Sequence, residues 1–182
     1  MQENTLPKFQ NTVRKQLTPK PGRTLLVKLF DKSNLDCVDN YVGFQTKHYV
    51  EKTNSYFVTF ATTDQSNNAL TQLKTTFGSS ISAKFAQYRI YFTMKGLLPE
   101  LDYGVVKSLH CNMITASGKC NVLYYKLYRK NNVYIGCGDI TVDTKEGFDY
   151  LINQESCKNY SLDNDLSGVH YRYNKLTVDR TN

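Results

Sequence analysis

The chain holds no run approaching the roughly 18 consecutive apolar residues that a membrane span requires, and its first residues lack the apolar core of a secretory signal. A soluble, intracellular protein is expected, nuclear or cytoplasmic, without membrane contact. Its five cysteines, Cys37, Cys111, Cys120, Cys137 and Cys157, are odd in number and irregular in spacing. That argues against a disulfide framework and for a reducing compartment with free, mostly packed thiols. Histidine is scarce, and none of His48, His110 and His170 belongs to the His-x-Thr/Ser pairs of two-histidine phosphoesterases. His110 beside Cys111 does not make a nucleophile pair, because adjacent residues on a helix point about 100° apart. A surface or partly packed histidine is expected there. Cys-x-x-Cys, His-Glu-x-x-His and glycine-rich phosphate-loop patterns are missing, so structural zinc and nucleotide hydrolysis both lack a site. Gly136-Cys137-Gly138 is too short for such a loop and keeps a strand register. The expectation is a non-enzyme with no catalytic residues, no metal and no cofactor.

What is present begins with size and charge. A length of 182 residues with 40% hydrophobic content supports one ordinary domain or two small ones. The net charge is +7, and residues 1–23 hold Lys8, Arg14, Lys15, Lys20 and Arg23 against Glu3 alone. More than half of the excess therefore sits in one segment, which Pro7, Pro19, Pro21 and Gly22 keep from forming a long helix. Residues 1–22 are expected to be a flexible, free basic arm, read either as attracted to phosphate or as a solvated tail that aids solubility.

One β-α-β-β-α-β pattern then occurs twice. In the first copy Thr24 to Phe30 is an apolar strand, and Leu35, Val38 and Val42 follow at helical spacing with Ser33 or Asn34 as the cap. A short extended piece at 49–52 precedes a strand at 55–61, in which Tyr56, Val58 and Phe60 alternate with Ser55, Phe57 and Thr59. Thr63 or Asp64 caps a second helix bearing Leu70, Leu73 and Phe77, Gly78 stops it, and Ile81, Ala83 and Phe85 close the unit. In the second copy a strand at 89–95 leads to a helix opened by Pro99, with Leu101, Val105, Leu109 and Met113 every fourth residue. Leu123, Tyr125 and Leu127 alternate with Tyr124, Lys126 and Tyr128, and Asn131-Asn132 marks a hairpin turn. Asp143 with Glu146 resembles a capping box before Phe148, Leu151 and Ile152, and 168–173 forms the last strand.

Leu25 to Phe30 with Tyr56 to Phe60, and Ile90 to Leu97 with Gly136 to Val142, resemble the paired RNP2 and RNP1 strands of RNA recognition motifs. The resemblance covers residues 23–175. It implies an α+β chain of two ferredoxin-like, RRM-like units in tandem, each an antiparallel four-stranded sheet with two helices on one face. The expected organisation is an arm at 1–22, a first unit at 23–87, a second at 88–176 and a tail at 177–182.

The resemblance also implies a non-catalytic partner, single-stranded RNA, whose bases stack on aromatic side chains of the uncovered sheet face. Period-two alternation directs Leu26, Lys28, Phe57 and Thr59 to that face in copy one, with Lys84 on the last strand. In copy two it directs Tyr91, Thr93, Cys137, Asp139 and Thr141 there, with Tyr124, Lys126 and Tyr128 beside them, Arg129 and Lys130 in the turn, and Arg172 on the closing strand. The family's pair of RNP1 aromatics is missing. Asp139 repels phosphate, although a carboxylate also accepts hydrogen bonds from a base edge. Phe57 is read either as a base stacker or as a contact with a flanking helix or domain, and Tyr124 and Tyr128 either as stackers or as good strand formers.

The link between the copies is almost nil, so two arrangements are open: a continuous groove, or one sheet face buried against the other unit. Two other functional readings stand beside RNA binding. One is a protein-interaction scaffold of degenerate recognition motifs that binds a protein partner or self-associates. The other is a small viral or mobile-element protein that coats nucleic acid without sequence preference.

Overall fold

A computed structural model describes residues 19–30, 34–96, 102–153, 158–159 and 170–175. The first unit contains β1 (Thr24–Leu29), β2 (Phe44–Val50), β3 (Ser55–Phe60), α1 (Thr63–Phe77) and β4 (Ile81–Phe85). The second contains β5 (Tyr88–Lys95), α2 (Tyr103–Ala116), β6 (Val122–Lys130), β7 (Val133–Val142), α3 (Lys145–Ile152), β8 (Lys158–Asn159) and β9 (His170–Lys175). The strand orders are β2-β3-β1-β4 and β6-β7-β5-β9-β8, antiparallel throughout. In both sheets the first and third long strands of the unit pair at the centre. The expected α+β tandem of RRM-like sheets is therefore observed, with the two-residue β8 added at the edge of the second.

Burial follows the strand alternation. Leu25, Val27, Leu29, Val58, Phe60, Ile81, Ala83 and Phe85 form the first core with Ala69 and Leu73 of α1. Ile90, Phe92, Met94, Tyr125, Leu127, Ile140 and Val142 form the second with Val106, Ile114 and Leu151. Fully burying one such large side chain contributes about 1.5–3 kcal/mol, so these rows fix which side of each sheet is covered. Gly138 of β7 is required where the edge strand β6 and the Phe92 ring of β5 come close, since a Cβ there would stand 1.9 Å from the Lys126 carbonyl oxygen and 2.8 Å from the Phe92 ring. Asn131 and Asn132, at φ 52° and 63°, make the expected hairpin turn between β6 and β7.

Several local expectations change. The first helix of copy one is a 3-10 turn at Asp36–Asn40; Val38 within it and Leu35 just before it are buried, while Val42 beyond it is 79% exposed. Asp, Asn and Cys are weak helix formers, and Gly43 at φ 79° ends any continuation. β2 runs from Phe44 to Val50, longer and earlier than the piece expected at 49–52, and a 3-10 turn follows at Glu51–Thr53. α1 is capped by Thr62, not Thr63 or Asp64: Thr62 Oγ1 accepts from Gln65 N while Gln65 Oε1 accepts from Thr62 N.

α2 starts at Tyr103 with Asp102 accepting from Gly104 N and Val105 N. Pro99 and Leu101 lie outside the described residues. The buried row of α2 is Val106, His110 and Ile114, with Leu109 and Met113 at its margin and Val105 exposed. His110 is fully buried, correcting the expected surface or partly packed position. Its Nδ1 is 3.0 Å from the Tyr125 hydroxyl and its Nε2 is 2.7 Å from the Tyr173 hydroxyl. Both ring nitrogens are satisfied by phenols, and burial holds its pKa down to about 3. α3 is capped by Thr144. Asp143 instead accepts from Asn121 N and Nδ2 and pairs with Arg23 Nε at 2.8 Å.

That ion pair belongs to a second correction. Residues 20–22 of the expected free arm lie against the second unit: Gly22 is buried beside Asp143 and Leu123, and Arg23 Nη2 donates to the Lys119 carbonyl. Gly22 O also accepts from Ser66 Oγ of α1 at 2.7 Å, and Lys20 O accepts from Gln87 Nε2 at 3.0 Å. The segment is held because Asp143, 1% exposed, needs a cation once it is taken from water. Among the described residues Cys37, Cys111, Cys120 and Cys137 are free thiols; Cys120 is buried, and burial followed by the nearby Asp143 pushes its pKa up to about 12. Cys157 lies outside the described residues.

Candidate nucleic-acid interface

Strand register determines what each uncovered face carries. On the first sheet one level reads His48, Phe57, Leu26 and Lys84 across β2, β3, β1 and β4, and the next reads Val50, Ser55, Lys28 and Ser82. Lys28 and Lys84 are exposed, whereas Leu26 and Phe57 are half-buried. Thr59 lies beside Thr24, their hydroxyls 3.0 Å apart. Phe57 does not stand free. Its ring centroid is 5.7 Å from that of Tyr88, which in turn is 6.0 Å from Phe148 of α3. The intramolecular reading of Phe57 thus has a contact behind it, and the second unit covers part of the first sheet at that point.

On the second sheet one level reads Tyr124, Thr141 and Arg89; the next reads Lys126, Asp139, Tyr91 and Asn174; the next reads Cys137, Thr93 and Arg172. Lys126, Arg89, Arg172 and Lys95 reach solvent, while Tyr91, Thr93, Tyr124 and Tyr128 are half-buried. Lys20 Nζ lies 5.9 Å from the Tyr124 ring centroid and Lys126 Nζ lies 5.4 Å from that of Tyr128. The Tyr91 phenol is pushed up to about 12 by its hydrogen bond with the Cys137 thiol and then by burial. Asp139 lies at the centre, 6% exposed, its Oδ2 accepting from Arg89 Nη2 at 3.3 Å and from the Tyr128 hydroxyl. Burial, followed by that bond, raises the Tyr128 pKa above the ordinary phenol range. Arg89 offsets the charge through which Asp139 was expected to repel phosphate.

Among solved structures, the RNA recognition domains 1 and 2 of Sex-lethal from Drosophila melanogaster are 13% identical to this chain, match 83% of it and 99% of themselves, and have a TM-score of 0.30. The first two RRM domains of the yeast poly(U)-binding protein Pub1 are 16% identical over 85% of this chain and 99% of that one, with a TM-score of 0.31. The C. elegans NONO-1 homodimer is 13% identical over 88% and 66%, with a TM-score of 0.37. No family model and no curated protein matches the chain. The fold is read from each unit's own strand order and from the single covered side of its sheet. The chain is a tandem of RRM-like folds.

Most residues expected on these RRM-like faces do lie there: Leu26, Lys28, Phe57, Thr59 and Lys84 on the first, and Tyr91, Thr93, Tyr124, Lys126, Asp139 and Arg172 on the second, joined at the centre by Tyr128. Arg129 and Lys130 are not in the turn but end β6. Arg129 packs over Tyr134, 4.3 Å from its centroid, and Tyr134 stacks on Tyr103 of α2. Arg129 therefore belongs to the helix-covered side, because β6 runs far enough to give it the parity of Tyr125 and Leu127. Sequence reasoning missed His48, Arg89, Lys95 and Phe30. Phe30 is 61% exposed just beyond β1, with Lys28 Nζ 5.9 Å from its ring centroid. Continuing the alternation Leu26, Lys28 by one step would have found it. Among the described residues no group of three potential metal ligands occurs, and no helix is long and apolar enough to cross a membrane.

Proposed function

We propose that the chain binds single-stranded RNA non-catalytically, with the second RRM-like sheet as the principal surface. The observation that carries this reading is the combination of Tyr91, Tyr124 and Tyr128 with the solvent-reaching cations Lys126, Arg89, Lys95 and Arg172 on one uncovered face. Tyrosine rings offer stacking to any base, worth about 1–3 kcal/mol for each base stacked, and flanking cations follow the backbone. The first sheet contributes Lys28, Lys84 and the exposed Phe30, while Phe57 is shared with Tyr88.

Filter binding to short single-stranded RNA across a salt series tests it. If Lys28, Lys84, Lys126 and Arg172 meet phosphates, log K falls with log salt at a slope of about −3, from roughly 0.7 per phosphate. Absence of binding at low salt refutes the reading. A protein-interaction scaffold is favoured by one observation, the use of Phe57 within the chain. It predicts a bound or self-associated protein and no RNA affinity.

A further inference from the structure

We infer that Asp139 reads the hydrogen-bond donor edge of a base, so that the second sheet prefers amino-bearing bases to uracil. The inference rests on the RNA-binding reading above and specifies its target.

Asp139 Oδ2 is engaged by Arg89 and Tyr128, whereas Oδ1 is buried and has no hydrogen-bond partner. A carboxylate oxygen withdrawn from water and left without a donor is an acceptor waiting for one. Around it the face supplies what a single base needs. Tyr91 is the cross-strand neighbour of Asp139 on β5, and Tyr128 reaches it from β6, so ring surfaces stand beside the acceptor. Lys126, the neighbour on β6, and Arg89 are long and solvent-reaching. On this reading a base reaches Oδ1 by moving these two exposed side chains aside.

The chemistry of that encounter selects among bases. An exocyclic amine of adenine, cytosine or guanine donates to Oδ1, as carboxylates do when they accept from the cytosine amine. Beside the amine each of these bases carries a ring nitrogen or carbonyl, which Lys126 or Arg89 can meet with a donor. Uracil has a single ring N–H flanked on both sides by carbonyl oxygens, and their lone pairs oppose the carboxylate. A phosphate has no donor to offer that oxygen. Asp139 thus occupies the middle of the face as a reader of bases, while stacking falls to the tyrosines at its sides.

The test is fluorescence anisotropy of the full chain with labelled twelve-residue oligo(A), oligo(C) and oligo(U) at low salt. The wild type is expected to bind oligo(A) or oligo(C) about ten-fold more tightly than oligo(U), the scale of one good side-chain contact to a base edge. In Asp139→Asn the amide oxygen takes the place facing Arg89 and Tyr128, and the amide NH2 takes the place of Oδ1. The free acceptor becomes a donor, and the preference should move toward uracil by about the same factor. The tighter of oligo(A) and oligo(C), remade with its exocyclic amine dimethylated, should lose about ten-fold on the wild-type protein, a measurement that needs no variant. Equal binding of all three wild-type complexes, an unchanged ratio in Asp139→Asn, or indifference to dimethylation overturns the inference and leaves RNA binding standing. No binding to any oligomer overturns the RNA-binding reading itself.

Discussion

Acidification should unfold this protein partly through one residue, His110. Its imidazole is fully buried on α2 between the hydroxyls of Tyr125 and Tyr173, with the Tyr171 ring 3.9 Å from its own centroid. Burial alone holds its pKa near 3 in the folded state, against 6.5 for the free side chain. Below pH 6.5 the unfolded chain therefore takes up a proton that the folded chain refuses, and stability falls with pH. The slope is about 1.4 kcal/mol per pH unit, a loss of roughly 3 kcal/mol by pH 4.5 that continues to accumulate down to pH 3. Against a typical total of 5–15 kcal/mol this is a large share. The tyrosines around the ring stay neutral throughout, since burial raises Tyr125 and Tyr171 above the ordinary phenol range.

Urea unfolding of wild type and His110→Gln at half-unit steps from pH 7.5 to 4.5 isolates the effect, because carboxylates elsewhere titrate in both proteins. At neutral pH the variant should be about 1–3 kcal/mol less stable, having disturbed two buried hydrogen bonds. The gap should close by pH 4.5, where the wild type alone has suffered the histidine penalty. Curves that remain parallel over the whole range would refute a neutral, proton-refusing His110.

Three further outcomes follow from single contacts. Arg23→Ala leaves Asp143, 1% exposed, with Asn121 as its remaining partner and should cost about 3 kcal/mol in a urea titration; a loss below 1 kcal/mol would mean the strap at residues 20–23 is not held by charge. Gly138→Ala drives a methyl into the Lys126 carbonyl oxygen and the Phe92 ring, and should cost about 3 kcal/mol or more, seen as lost amide-exchange protection in β6 and β7. Asn132→Val puts a β-branched residue at φ 63° and should lower stability by about 1–2 kcal/mol, read as a drop in Tm, whereas Asn132→Gly should not.

The central strands were legible because alternation in Leu25, Val27 and Leu29, or Ile90, Phe92 and Met94, leaves one solution for the buried side, whereas β2 and β8 lack such a row and were misplaced or missed. The faces followed from the same parity, which is why most candidate residues lie where they were expected. Distant contacts were not legible. Asp143 reads locally as a helix cap, yet its partner Arg23 is 120 residues away. The apolar row Val105, Leu109 and Met113 is as good a helix face as Val106, His110 and Ile114. Tyr125 and Tyr173 decide between them by offering hydroxyls to His110, and neither is near it in sequence. Phe57 shows the same limit: parity sends it to the uncovered face but is silent about Tyr88 meeting it there.

The register shifts in β2 and β6 bear on how the molecule avoids its own kind. Sheet 1 ends laterally in β2, irregular between Phe44 and Thr46 and carrying Lys47, and in β4, carrying Lys84. Sheet 2 ends in β6, irregular at two points and rich in Lys126, Arg129 and Lys130, and in a β8 only two residues long. Kinked, lysine-studded or very short margins reject strand addition, the usual route to fibrils and domain exchange. Among the described residues, the surfaces open to association are the broad sides of the sheets and the helices, not these rims.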